Sequence, residues 1–405
     1  MRAVKNWAGN IEYSTTRVLR PRSVDEAQEL VAQESAMRPL GTRHAFNSIA
    51  DTDGALVSTE QLDRVVDLSE TSVTVEAGLR YGELSSALHE HGVAVANLAS
   101  LPHISVGGAI ATATHGSGVR NQSLAAAVSA LELISADGSL HTLRRGDPDF
   151  DGAVVGLGAL GLVARVTLDV VPAFELRQYV YEGLPDAALD ESLDELLAGG
   201  YSVSVFTTWA GHTELWVKTI DELDPNEPRF GATAATRALN PVPGAAAENA
   251  TAQLGERGPS YERLPHFRLG FTPSSGAELQ SEYVVPRAHA AEAVQALRAL
   301  ASLVSPLLFI SEIRAVAADT LWLSPFYERD SVAFHFTWKP LGPEVHAVLP
   351  QIEDALAPFG ARPHWGKVFV RLDDVYPKLP AFRELRERLD PTGAFRNDFL
   401  ARYGM

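Results

Sequence analysis

The chain has 405 residues, too many for one comfortable hydrophobic core, so two domains are expected. Hydrophobic residues make up 46% and charged residues 21%, which excludes wholesale disorder. Asp and Glu number 51 against 34 Lys and Arg, a net charge of −17 that repels phosphate backbones and disfavours nucleic acid as a partner, a local basic patch aside. There is no run of 18 apolar residues to cross a membrane. Met1-Arg2-Ala3-Val4-Lys5 leads into Asn6-Trp7-Ala8-Gly9-Asn10 rather than an apolar signal core, so a cytoplasmic protein is expected. The absence of cysteine excludes disulfides, thiolate nucleophiles and cysteine-ligated clusters. Redox chemistry would have to ride on a bound cofactor, and no metal site is expected.

In chain order, Ser23 followed by Glu26 reads as a capping box ahead of a Val24, Ala27, Leu30, Val31 stripe. Arg38-Pro39-Leu40 running into Gly41 is a strand-to-loop signal, and 55–58 and 73–76 are strand-like. Tyr81, Leu84 and Leu88 mark a second helix that Gly92 ends. Strands are expected at 128–134 and 162–171, closed by Pro172. On pattern alone this part is an α+β domain. From about 173 the texture changes: 179–181, 202–206 and 215–217 alternate with period two, as strands with one wet face do. Residues 231–258, rich in Ala, Asn, Gly and Pro, suggest a mobile surface loop, with an Ala-rich helix as competitor. Strands at 281–285, 308–310 and 332–336, a helix over 289–303 and a charged helix over 379–389 complete the pattern: an antiparallel sheet backed by helices.

Three segments could carry chemistry. Residues 97–118 become, from Ser105 onward, a run of small and hydroxylic side chains. Such side chains let backbone N–H groups approach an anion, and a helix starting near Ser105 would aim its dipole at a diphosphate. A packed Gly/Ala turn explains the same composition. The loop Gly41-Thr42-Arg43-His44-Ala45-Phe46-Asn47-Ser48 follows a strand, and the two glycine-bearing loops together suit an extended cofactor. Neither has the G-x-G-x-x-G or Walker spacing of an ordinary nucleotide fold. In the second half, Glu312 and Arg314 share one strand face, as do His335 and Thr337, and His364-Trp365-Gly366-Lys367 lies near the end. With five lysines (5, 218, 339, 367, 378) against 29 arginines, a lysine between Gly and Val is conspicuous. Beside a Glu–Arg pair it can hold a substrate oxygen or act as a base. An exposed salt-bridge network is the competing reading.

Taken in order, these motifs resemble the FAD-dependent alditol oxidases of the vanillyl-alcohol-oxidase superfamily. They are joined by Gly158-Ala159-Leu160-Gly161, Phe271-Thr272-Pro273-Ser274-Ser275-Gly276-Ala277-Glu278-Leu279-Gln280-Ser281-Glu282-Tyr283, Phe336, Trp338 and Phe395-Arg396-Asn397, and the resemblance runs essentially the full length. It implies a two-domain α+β flavoprotein. Residues 1–172 form an FAD domain of two α+β subdomains, 173–375 a cap domain with a large antiparallel sheet, and 376–405 a tail returning to the FAD domain. His44 matches the histidine that bonds covalently to the flavin 8α-methyl; without cysteine, a second covalent link is excluded.

The resemblance also implies that Gly41, Thr42, Arg43 and Ala45 line the FAD near that link. Ser105, Gly108, Thr112, Ala113, Thr114, His115 and Gly116 would cradle the diphosphate and adjoining parts, with Ser100, Val163, His364 and Lys367 as further contacts. Ser100, Gln280, Glu312, Arg314, Thr337 and Lys367 match positions around the polyol. Lys367 would sit on the reacting oxygen, with Arg314 and Glu312 fixing geometry and His335 a competing proton acceptor. Two departures stand out: Thr42-Arg43 replaces the family's Ser-Gly, and Ala99 falls where the superfamily places a residue over the flavin's oxygen-reactive edge. The implied reaction oxidises the terminal alcohol of xylitol- or sorbitol-like polyols by hydride transfer to flavin N5, with O2 becoming H2O2. The implied partners are therefore a polyol and O2; the oligomeric state is not read from the chain, a monomer being plausible. An aldonolactone oxidase or dehydrogenase is the nearest alternative, and a flavin carrier without turnover a competitor of another class.

Overall fold

The computed structural model describes residues 3–270 and 278–405. The Ser23 hydroxyl accepts the Glu26 N–H at 3.1 Å and so starts the helix Val24–Gln33, while the Glu26 carboxylate takes the Arg22 N–H at 2.7 Å rather than that of Ser23 itself. The buried face of this helix, Val24, Ala27 and Val31, packs on Met37, Ala55 and Val57. Those residues belong to a parallel three-stranded sheet in the order Val18–Leu19, Ala55–Ser58, Met37–Leu40. A second, antiparallel sheet runs Val65–Leu68, Ser72–Glu76, Leu162–Asp169, Val128–Ile134, Leu140–Arg144. Tyr81–Glu90 is the second helix, and Gly92 leaves it at φ +76°, the left-handed geometry a C′ glycine supplies.

Val171–Pro172 pairs with Val93–Ala94, after which Glu175–Glu182 enters a nine-stranded sheet. Its six long strands lie side by side, each antiparallel to the next, in the order Glu175–Glu182, Thr213–Thr219, Ser202–Thr207, Leu308–Val316, Ser331–Trp338, Leu279–Pro286. The expectation of one wet face fails here. Every residue of Ser202–Thr207 and Thr213–Thr219 is buried, because helices cover one face and the polar face is turned toward the first two sheets. On the helix side, Val205, Phe334 and Phe336 join Leu297, Val345 and Leu349 in one apolar cluster. The expected helix 289–303 is two pieces, Ala290–Ala299 and Ala301–Val304, since Leu300 leaves helical geometry; Ala290, Ala293, Val294 and Leu297 carry the buried stripe.

Residues 231–258 do not form the Ala-rich helix that competed there; only Ala247–Asn249 makes a single 3₁₀ turn. The stretch is tied down by side chains: Gln253 bridges the N–H and carbonyl of Leu239 at 2.9 and 2.7 Å, and the Gln178 amide donates to the Thr251 and Ala252 carbonyls. After the helix Leu379–Leu389 the chain returns to the first sheet. There Phe395 joins the Met37–Val57 cluster, and the Asn397 amide donates to the carbonyls of Ser48, Ile49 and Asp51. Among the described residues no helix is long and apolar enough to cross a membrane.

Candidate active site

The polar face of the large sheet and the two glycine-bearing loops enclose one cavity of about 500 Å³. Gly41, Thr42, Arg43, His44 and Ala45 line one end, with Ala99, Ser100, Gly108, Thr112, Thr114, His115 and Val163; Gln280, Glu312, Arg314, His335, Thr337, His364 and Lys367 line the other. Asn47 ties the ends together: its Nδ2 donates to the carbonyls of Trp365 and Lys367 at 2.8 and 2.7 Å, and the Phe46 N–H donates to the Gly366 carbonyl.

At the loop end, the Trp7 ring stacks on the His44 imidazole with centroids 4.9 Å apart. Both ring nitrogens of His44 are buried without a hydrogen-bond partner, and burial pulls the pKa down to about 4, so the ring is neutral. The Ser105 hydroxyl is likewise buried and unpartnered, and a Cβ on Gly41 would come within 2.6 Å of it. A groove with no room for side chains, donors without partners and an unpaired imidazole at its end fit an FAD. The helix expected near Ser105 is only Val106–Ala111, and its first N–H groups are already spent: Val106 donates to Leu79 and Gly107 to Ala77. The dipole argument therefore finds no support here; what this end of the cavity presents is glycines and the hydroxyls of Thr42, Thr112 and Thr114.

At the sheet end, Glu282 is a buried hub. Its Oε1 lies 2.6 Å from His115 Nε2, and its Oε2 accepts from Lys367 Nζ at 2.7 Å and Arg314 Nη2 at 2.8 Å and lies 3.1 Å from His335 Nδ1. Despite complete burial its carboxyl is held well below the usual range, because Lys367, His115 and Arg314 outweigh desolvation. Burial pulls the Lys367 amine below its ordinary value against the attraction of Glu282. Lys367 Nζ is also 2.7 Å from His335 Nδ1, while His335 Nε2 lies 3.0 Å from the Thr337 hydroxyl; burial and Lys367 bring His335 down to about 4. Arg314 Nη1 reaches the Ser100 hydroxyl at 3.3 Å and Arg314 Nε lies 3.6 Å from Glu312. Glu312 pairs with His266 at 2.8 Å, which contacts the buried Lys218 at 3.2 Å. The arrangement can hold hydroxyl groups and move a proton from Lys367 to His335.

Ser105, Ala113 and Gly116 do not line the cavity; they shape it from behind. Ala113 is buried at φ +53°, and a Cβ on Gly116 would strike the Leu98 carbonyl at 2.3 Å. His115, expected near the diphosphate, turns its ring to Glu282 and packs against Phe326 and His364 instead. Of the motif 271–283, residues 271–277 lie outside the described residues. Sequence reasoning missed Glu282, His266 and Lys218 as site residues. Glu282 was within reach, since it stands two residues from Gln280 on the same strand face and opposite His335 in register.

The chain matches two family models: an FAD binding domain over residues 15–144 and D-arabinono-1,4-lactone oxidase over 277–403. It is 48% identical to an alditol oxidase of Streptomyces sp., covering 98% of both chains. It is 31% identical to an L-gulono-1,4-lactone dehydrogenase of Mycobacterium tuberculosis, again over 98% of both, and 29% to the L-gulonolactone oxidase of Mus musculus, over 98% of this chain and 97% of that one. In fold it is similar to a solvent-stable cholesterol oxidase (TM-score 0.81, 17% identity, 100% and 97% covered) and to the cholesterol oxidase of B. sterolicum (0.79, 16%, 99% and 96%). Fold and site together define an FAD-dependent oxidoreductase of the vanillyl-alcohol-oxidase type. Within that class the chain belongs to the alditol oxidase family.

Proposed function

We propose that the protein oxidises the terminal primary alcohol of an alditol such as xylitol or sorbitol to the aldose, acting in the cytoplasm with O2 as acceptor and H2O2 as product. The observation that carries this reading is the single cavity joining an unpartnered, buried His44 to a wall of hydroxyl-binding side chains around Lys367. We take residues 1–172 with 376–405 as the FAD-binding part and 173–375 as the cap, supported by the strand pairing at 171–172 and the return of Phe395 and Asn397 to the first sheet. His44 is the attachment point of a covalent flavin; Gly41, Thr42, Arg43, Ala45, Gly108, Thr112, Thr114 and Val163 surround the cofactor. Bound there, FAD would supply an acceptor for the substrate hydride and a route for the electron pair to O2.

The chain's own residues supply the rest. Lys367 has two of its three donor positions taken, by Glu282 and His335, and directs the third to the substrate oxygen. Once Lys367 has passed a proton to His335 Nδ1, whose new imidazolium lies beside Glu282 Oε2, its freed lone pair accepts the proton of that oxygen and the ammonium is restored. Arg314 fixes the same oxygen's neighbour, while Glu312, Gln280, Thr337 and Ser100 pair the remaining hydroxyls. Simple alcohols would leave these buried groups unpaired and are rejected on that account. Aldonolactones are the second reading, because the lactone-oxidase family model spans Glu282, Glu312, Arg314, His335 and Lys367.

Anaerobic xylitol should bleach the visible absorbance of the purified flavoprotein, faster than galactono- or gulonolactone does. A strong lactone preference overturns the polyol assignment. Acid-denatured protein should carry yellow fluorescence on an SDS gel, and His44→Ala should release it; free flavin from the unaltered chain would mean no covalent bond.

A further inference from the structure

Beneath Glu312, on the side away from Lys367, lies a polar chain that the proposed reaction does not use. Lys218 sits inside the strand Thr213–Thr219, 1% exposed, and no carboxylate pairs with it among the described residues. Its Nζ donates to the Leu264 carbonyl and lies 3.2 Å from His266 Nδ1; His266 Nε2 lies 2.8 Å from Glu312 Oε1. The imidazole is held edge-on between Phe206 and Trp216 and is itself part of the cavity wall. A buried ammonium without a counterion in contact is costly, so its placement calls for a physical role.

Donor and acceptor chemistry supplies one. An ammonium only donates, so His266 Nδ1 must accept; an ionised carboxylate only accepts, so His266 Nε2 must donate. One neutral tautomer meets both demands. We propose that Lys218 and His266 are positioning residues for substrate recognition: the ammonium fixes the imidazole as its Nε2–H tautomer, and the imidazole holds Glu312 with Oε1 occupied and Oε2 left to accept a polyol hydroxyl. This rests on the reading of Glu312 as a substrate-binding carboxylate.

If Lys218 loses its proton, the amine can accept as well as donate, the imidazole is free to change tautomer, and a bare Nε2 lone pair then faces the carboxylate. Burial brings Lys218 down to about 7 and His266 down to about 4, so of the two it is Lys218 whose charge changes near neutrality. The charged groups facing them are Glu312 and Arg314, from the strand Leu308–Val316, next but one to that of Lys218; Gln178, on the neighbouring strand, presents a neutral amide engaged with Thr251 and Ala252. The relay is intact below the Lys218 value and loosens as pH rises through it.

The test is Lys218→Met in the holoenzyme, with xylitol as substrate and bound FAD quantified. At pH 6 the KM should rise about tenfold, the loss of one charge-supported hydrogen bond, with kcat within about twofold of the parent. The parent's KM should climb above pH 7 toward that of Lys218→Met, whose own KM stays flat. An unchanged KM and an unchanged pH profile in Lys218→Met overturn the relay and leave the polyol reading standing if xylitol still reduces the parent flavin. A parent flavin that no polyol reduces overturns both. Should Lys218→Met not fold, ¹⁵N spectra of histidine-labelled parent holoenzyme decide, with the His266 signals assigned by their loss in His266→Gln. A protonated Nε2 with a bare Nδ1 at pH 6 supports the relay; a protonated Nδ1 refutes it.

Discussion

Glu282 brings Lys367, Arg314, His335 and His115 to one carboxylate, and its charge sets where each of them points. Glu282→Gln keeps the shape and removes the charge, leaving two buried cations without their shared counterion. Anaerobic reduction by xylitol, followed by stopped flow, should slow by roughly a hundredfold while FAD stays bound; a rate near that of the parent would mean that Lys367 is placed without it. The same cluster sets an acid limit. His335 must be neutral to take a proton, and its pKa lies near 4, so reduction should hold steady from neutrality down and be lost as pH falls through about 4. A limb that instead falls near pH 6 would point to an imidazole in ordinary solvent. Individual side chains were legible in the sequence where the strand period of two placed partners on one face, as with Glu312 and Arg314. They were illegible where the partner came from a distant segment: nothing near His115 in the chain announces Glu282, which meets it only across the two halves of the molecule.

The large sheet explains why an apparently water-facing pattern misled. Ser204, Glu214 and Lys218 alternate with apolar neighbours as on a half-wet sheet, yet all three are buried: Glu214 accepts from the Trp216 indole of its own strand, and Lys218 lies against His266. Alternation reports polarity, not water, and only the packing of the second half on the first distinguishes the two. The loops show the complementary case. The position of His44 after a strand was readable from Gly41, but its distance from Lys367 depends on Asn47, whose amide spans to the carbonyls of residues 365 and 367 while its Oδ1 caps the turn at Ile49. Asn47→Ala should therefore cost about 1–3 kcal/mol in urea unfolding and slow flavin reduction, because two buried carbonyls lose their donor and the Lys367 loop its anchor. Loss of stability with an unaltered reduction rate would make Asn47 a purely structural tie.

At the scale of the molecule, the chain's end closes what its beginning opens. Arg38, on the strand leading to Gly41, is 1% exposed and spends its guanidinium entirely on backbone carbonyls: Ile49 from the His44 loop, Leu157 and Gly158 from the glycine turn before the strand Leu162–Asp169, and Phe395 from the tail. Burial pulls its pKa to about 9, with Asp390 of the tail the opposing influence. Its lack of a bonded carboxylate is tolerable only because several carbonyl dipoles converge on the rigid fork, a geometry an ammonium could not satisfy. Arg38 also lines the cavity, so the same contacts that hold the tail shape the cofactor's end of it. Arg38→Lys keeps the charge and loses the fork. It should destabilise the protein by about 3 kcal/mol in urea unfolding, since four carbonyls cannot share three donors without strain. It should also increase susceptibility to proteolysis beyond Leu389, where the helix Leu379–Leu389 ends. If Arg38→Lys unfolds with the parent and its tail resists protease equally, the contacts of Ala394, Phe395 and Asn397 hold the tail without it, and the guanidinium is not the link between the two ends of the chain.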